Sequence, residues 1–160
     1  MKTFLTALII TILISGCGTR NAFSKLNVEL EQEKAIENTR SWKIASSDNV
    51  TGVFSAVYLN NVYENMSKNT NEFYLSIYLK DKNYDLNITL NKEAPLKIEK
   101  IAQENKFTHL LPMKNEWTKN YVVSFDNTKN DDKNATDELI LQIDSGQFSS
   151  GPLKYSKDQL

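Results

Sequence analysis

Phe73-Tyr74-Leu75-Ser76-Ile77-Tyr78-Leu79 and, after the turn residues Lys80-Asp81-Lys82-Asn83, Tyr84-Asp85-Leu86-Asn87-Ile88-Thr89-Leu90 carry the alternation on which the fold turns. Successive side chains of a strand point to opposite faces. Phe73, Leu75, Ile77 and Leu79 therefore share one face, with Tyr74, Ser76 and Tyr78 on the other. A four-residue loop predicts a hairpin that sets Leu79 against Tyr84, Ile77 against Leu86, Leu75 against Ile88 and Phe73 against Leu90. All four pairs are apolar, and a slip by one residue would turn the whole set to water. The outward face pairs Tyr78 with Asp85, Ser76 with Asn87 and Tyr74 with Thr89.

The same period extends in both directions. Val53, Ser55, Val57 and Leu59 alternate with Phe54, Ala56 and Tyr58. Further on, Tyr121, Val123 and Phe125 face one way, as do Leu139, Leu141 and Ile143, which predicts a second pair with Phe125 opposite Leu139. Val122 and Ile140 are apolar on the reverse face, which suits strands near the middle of a sheet. Shorter runs at Leu96–Ile101, Thr108–Met113 and Leu153–Tyr155 bring the count to seven or eight strands, and Pro95 and Pro112 belong at strand ends or edges. Short strands at regular spacing predict an all-β fold, an antiparallel β-sandwich. Towards the N-terminus, Leu26, Val28 and Leu30 fit a first strand over 26–31. Phe23, Leu26 and Leu30 also fit a helical stripe, and Glu31 to Asn38 is helix-compatible.

The beginning of the chain has a different grammar. Lys2, an apolar run from Phe4 to Ile14, and then Ser15-Gly16-Cys17 have the layout of a secretory signal. The run is too short for a span, which needs about 20 apolar residues. Ile14-Ser15-Gly16-Cys17 resembles the lipobox of bacterial lipoproteins. The resemblance implies cleavage before Cys17, acylation of Cys17 (palmitate among the acyl groups) and anchorage in a lipid bilayer. Gly18, where Asp would favour retention at the inner membrane, favours the outer membrane. The expected organisation is a signal peptide at 1–16, an acylated cysteine and tether at 17–40, and the β domain at 41–160. This outline is similar to envelope lipoproteins with immunoglobulin-like or transthyretin-like sandwiches.

Composition narrows the function classes. The chain carries 19 basic and 20 acidic residues; without Lys2 that becomes 18 and 20, a formal charge near −2. A nucleic-acid partner would call for a clustered basic face. Cys17 is the only cysteine, so disulfides, thiol catalysis and cysteine-held metals are not expected. His109 is the only histidine and reads as a strand-edge residue; no nucleophile elbow, HExxH or phosphate loop accompanies it. Asp132, Asn134 and Thr136 have calcium-loop spacing, but Asp137 stands where an EF-hand needs glycine and Ile143 where it needs glutamate. No catalytic residue, metal or cofactor is therefore expected. The abundant asparagine and lysine fit an AT-rich coding bias.

Three further features remain. Asp132-Lys133-Asn134-Ala135-Thr136 and Asp85-Leu86-Asn87-Ile88-Thr89 resemble the acidic extended sequon of bacterial periplasmic oligosaccharyltransferases, which makes Asn134 and Asn87 candidate glycosylation sites. Tyr74 and Tyr78, with Tyr58 beside them, form a candidate binding face for another envelope protein or a glycan. Asp81, Asp85, Glu93, Glu99, Glu104 and Glu116 are the acids available to a carboxylate-dependent hydrolase of envelope polysaccharide. The expected function is a non-enzymatic binding or assembly module, with that hydrolase and a surface antigen or adhesin as the alternatives.

Overall fold

The computed structural model describes residues 22–46, 49–81, 85–111, 116–128 and 138–157; Cys17, Tyr84, Pro112, Met113 and Asn134 lie outside them. The chain divides into two units, Met1–Leu30 and Glu31–Leu160, and helix α1 (Ala22–Glu37) spans the boundary. The expected strand over 26–31 is thus a helix. Its Glu, Gln, Lys, Ala and Leu residues are strong helix formers. Leu26, Val28 and Leu30 remain 62%, 39% and 51% exposed, so their alternation marked no buried strand face. Past the end of the helix, Asn38 Nδ2 donates to the Lys34 carbonyl at 2.9 Å and Thr39 Oγ1 to the Ala35 carbonyl at 2.5 Å. These satisfy acceptors that a helix terminus leaves open.

Nine strands follow among the described residues: β1 (Thr39–Ser46), β2 (Asn49–Tyr58), β3 (Thr70–Leu79), β4 (Leu86–Leu90), β5 (Lys97–Ile101), β6 (Lys119–Asp126), β7 (Glu138–Ser145), β8 (Phe148–Ser150) and β9 (Leu153–Ser156). They form one antiparallel sheet in the order β4-β7-β8-β1-β2-β3-β6-β5, with β9 also on β7. The fold is all-β in its main unit. The inward set foreseen from alternation is buried there: Phe73, Leu75, Ile77, Ile88, Leu90, Val123, Phe125, Leu139, Leu141 and Ile143 lie in one core.

The strand partners differ from expectation. β3 and β4 do not form a hairpin. β3 lies between β2, with Ala56 opposite Leu75 and Tyr58 opposite Phe73, and β6, with Val123 opposite Phe73. β4 sits at an edge beside β7, with Ile88 opposite Ile143 and Leu90 opposite Leu141. Nor do β6 and β7 pair, since Phe125 faces Asn71 and Leu139 faces Tyr155. The runs at Leu96–Ile101 and Leu153–Tyr155 are strands β5 and β9, whereas Thr108–Leu110 is a single 3-10 turn.

The sheet curls about its core. β9 lies three strand steps from β3, and at about 4.8 Å per step a flat sheet would hold them roughly 14 Å apart. Yet the rings of Tyr155 and Phe73 have centroids 5.2 Å apart, and Tyr155 donates to the Ala56 carbonyl at 3.0 Å. Tyr58 and Phe125 complete the cluster, at 5.0 and 6.0 Å from Phe73. Right-handed strand twist is the source of such curling.

A second core lies on the outer face. Val57 and Tyr74 are roofed there by Ala35 of α1, Leu59 and Val62 of the short helix α2 (Leu59–Val62), and Phe107 and Leu110. Asparagines key this roof to the sheet. Asn61 Nδ2 donates to Asn38 Oδ1 at 2.8 Å and to the Ser156 carbonyl at 3.0 Å, and Asn60 Oδ1 accepts from the Glu72 amide at 2.7 Å. Whatever supplied the asparagines, the fold uses several of them to satisfy backbone groups that would otherwise be stranded.

Candidate binding trough

Directly opposed residues of neighbouring antiparallel strands share a face, so the outer surface of β1, β2, β3 and β6 is built in rows. Thr39, Val57, Tyr74 and Val122 form the first row, at the roofed end. The next is Ser41, Ser55, Ser76 and Asn120, and the third begins Lys43, Val53, Tyr78. Beyond the roof the surface opens into a trough of about 870 Å³. Ser41, Ser55 and Ser76 are among its lining residues, Val53 and Tyr78 continue it, and Leu111, Trp117 and Thr118 complete it.

Among the described residues eleven line the trough, and none of them is charged. Val53 is 49% exposed and Trp117 is 73% exposed, which leaves apolar surface open to solvent. The Ser41 and Ser55 hydroxyls are 2.7 Å apart and hydrogen-bonded to each other. Asn120 ends the row; its Nδ2 donates to Gln103 Oε1 at 2.7 Å, and its buried Oδ1 has no partner among the described residues. Trp42 also touches the trough, although its indole is held against Gly151, where an added Cβ would come within 2.6 Å of Nε1. A smaller cavity of about 440 Å³ opens between β3, β4, β5 and β6, and it shares Tyr78 and Trp117 with the trough.

The candidate tyrosines separate. Tyr78 is half-buried and lines both cavities. Tyr74 is only 2% exposed, with its ring 5.6 Å from Phe107, and burial pushes its hydroxyl pKa up. It was expected to face outward, and it does, but onto the roof rather than solvent. Tyr58 points the other way, into the inner core, where it donates to Asn71 Oδ1 at 2.8 Å and burial pushes its pKa up to about 12. Asn87 is exposed in mid-strand opposite Asp144.

His109 is in the 3-10 turn, not on a strand edge. Its Nε2 lies 2.7 Å from Glu31 Oε2 and 3.5 Å from the Tyr63 hydroxyl, and Gln32 Nε2 donates to its carbonyl at 3.0 Å. The cluster ties the last turns of α1 to the roof. Burial above all, then the Glu31 charge and hydrogen bond, hold the Tyr63 hydroxyl well above its usual range. Of the six acids considered for hydrolysis, Asp85 alone lines either cavity. Glu99 is ion-paired with Lys97 at 2.6 Å. Among the described residues no group of three or more His, Cys, Asp or Glu could hold a metal ion, and no helix is long and apolar enough to cross a membrane.

Alternation did not point to Trp117 or to the serine row. Trp117 had a signal, a large aromatic isolated in the polar run Lys114-Asn115-Glu116-Trp117-Thr118-Lys119-Asn120. The serines had none, because their alignment exists only once three strands are in register. No protein-family model matches the chain, and no curated protein or solved structure is similar to it.

Proposed function

We propose that the protein is an envelope lipoprotein, anchored in a bilayer through acylated Cys17 and favouring the outer membrane, that serves as a non-enzymatic binding or assembly module. The signal-like start and the Ile14-Ser15-Gly16-Cys17 motif support the anchor. The observation that carries the binding role is the uncharged trough, whose exposed Val53 and Trp117 and half-buried Tyr78 lie together on the surface of a paired sheet. Contiguous apolar surface left open to water is characteristic of contact sites. A carboxylate-dependent hydrolase is less well supported, since a glycosidase needs two acids at its cleft and one of the six is at either cavity. We also read the curled sheet as the counterpart of the immunoglobulin-like or transthyretin-like sandwich, with β9 and β3 as facing layers.

Two experiments test the proposal. Fatty-acid labelling should mark the wild-type chain and not Cys17→Ser, which loses the membrane fraction; equal label in both refutes the anchor. Crosslinking in intact cells should capture an envelope component with wild type and lose it with Tyr78→Ser/Trp117→Ser. Aromatic hot spots contribute about 2 kcal/mol or more to contacts, whereas exposed substitutions change stability by about 0.5 kcal/mol or less. Unchanged crosslinking in a folded double variant refutes the trough as the contact surface.

A further inference from the structure

We infer that the trough takes an uncharged oligosaccharide, an inference that rests on its being the contact surface proposed above. The volume, about 870 Å³, is within the roughly 300–1,000 Å³ of small-molecule sites. What distinguishes candidate ligands is the chemistry of the lining. Among the described residues no charged side chain lines it, so a phosphate, a carboxylated polymer or a nucleic acid finds no counter-charge in that lining.

The lining is not simply apolar either. Ser41, Ser55 and Ser76 lie in one row across three strands, so at a strand spacing of about 4.8 Å their backbones span roughly 10 Å, with the Ser41 and Ser55 hydroxyls drawn together to 2.7 Å. Each hydroxyl both donates and accepts, the same dual capacity that sugar hydroxyls present. An acyl chain laid over this row would cover hydroxyls without replacing their water, which is unfavourable for polar groups. Beside the row, Tyr78 and Trp117 offer aromatic surface suited to the C–H face of a pyranose. Saccharides need both elements at once, a ring face on an aromatic and hydroxyls on a polar ladder.

Peptide recognition by strand addition is disfavoured by the topology. β2, in the middle of the trough floor, is paired on one side with β1 and on the other with β3, so it presents no open strand edge there.

The test uses the full-length chain, whose two tryptophans, Trp42 and Trp117, both line the trough and report on it by fluorescence. Maltotetraose, cellotetraose and chitotetraose are titrated in turn, with dodecanoate as the apolar comparison. We expect a saturable change in tryptophan emission with at least one tetrasaccharide. Affinity should fall about tenfold in Tyr78→Ala and in Ser55→Ala/Ser76→Ala, equivalent to about 1.4 kcal/mol each. Circular dichroism confirms that the variants are folded. If dodecanoate saturates the signal and no tetrasaccharide does, the saccharide inference is overturned while the trough remains a binding surface. Saccharide binding that these substitutions leave unchanged places the site elsewhere and also overturns it. Silence from all four probes overturns it too, and the separate crosslinking result then decides whether the binding role survives.

Discussion

The contact between Phe73 and Tyr155 offers the sharpest test of the curled sheet. Both residues are buried, and each belongs to a strand that the other would not touch in a flat sheet. Phe73 is in edge or tilted contact with Tyr58, Phe125 and Tyr155, so Phe73→Ala should cost about 3–5 kcal/mol. That is a large share of a typical stability of about 5–15 kcal/mol, so leucine is the better probe for a cycle. Phe73→Leu and Tyr155→Leu each remove one ring while keeping apolar volume. Tyr155→Leu also removes the hydrogen bond to the Ala56 carbonyl, about 1 kcal/mol that belongs to that single variant and cancels from the coupling. The ring–ring term at 5.2 Å and 68° should appear as a coupling of about 0.5–1.5 kcal/mol. Urea unfolding followed by circular dichroism measures it, provided the denaturant slope is the same in all four proteins. Additivity within about 0.3 kcal/mol, as for distant sites, would show that β9 and β3 do not face each other.

Other outcomes follow from single positions. Gly52→Ala should lose about 1–3 kcal/mol, because a Cβ there comes within 2.6 Å of both the Tyr78 carbonyl oxygen and Leu79 Cδ2; a wild-type unfolding midpoint refutes that close approach. Leu75→Asp should fail to fold, whereas Tyr78→Asp should melt near wild type, since Leu75 is fully buried and Tyr78 only half; equal melting of the two would contradict the inward and outward faces of β3. Burial raises the pKa of Tyr58 from 10.0 to about 12 and also raises those of Tyr63, Tyr74, Tyr121 and Tyr155. A raised folded pKa gives stability that is intact below the unfolded value and lost as pH climbs through the folded one. Urea midpoints should therefore hold up to about pH 10 and fall steeply towards pH 12, less steeply in Tyr58→Phe; a flat profile across that window refutes the burial of these hydroxyls.

Alternation told which way residues point, and it was reliable for that. Phe73, Leu75 and Ile77, like Leu139, Leu141 and Ile143, are buried on the inner face as their period-2 spacing implies. It could not tell which strand lies alongside. The inner faces around Leu75 are mostly apolar, so Leu75 suits Ile88 as well as it suits Ala56 and Tyr121, the neighbours it has. Chain proximity then favoured a hairpin that does not form. Tyr74 was misjudged for a related reason. Its outward direction was legible, but the roof over it comes from Phe107 and Leu110, residues distant in sequence and in no regular strand or long helix. Tyr78, four residues on, clears the roof, and so half of the candidate face survives as part of the trough.

The placement of β4 has a consequence for how the chain acquires its structure. β4 and β5 are consecutive in sequence but stand at opposite edges of the sheet, and among the described residues β4 is paired with β7 alone. β1 likewise waits for β8 on its free side. During synthesis, β1, β2 and β3 can zip together early, yet Ile88 and Leu90 have no ladder until residues 138–145 arrive. Closure therefore depends on contacts of high sequence separation, the class that folds slowly and leaves strand edges open meanwhile. A nascent chain halted before Glu138 would hold half a core and an unpaired β4, a form prone to self-association and to proteolysis. Quality control of this protein is thus expected to act on its last strands.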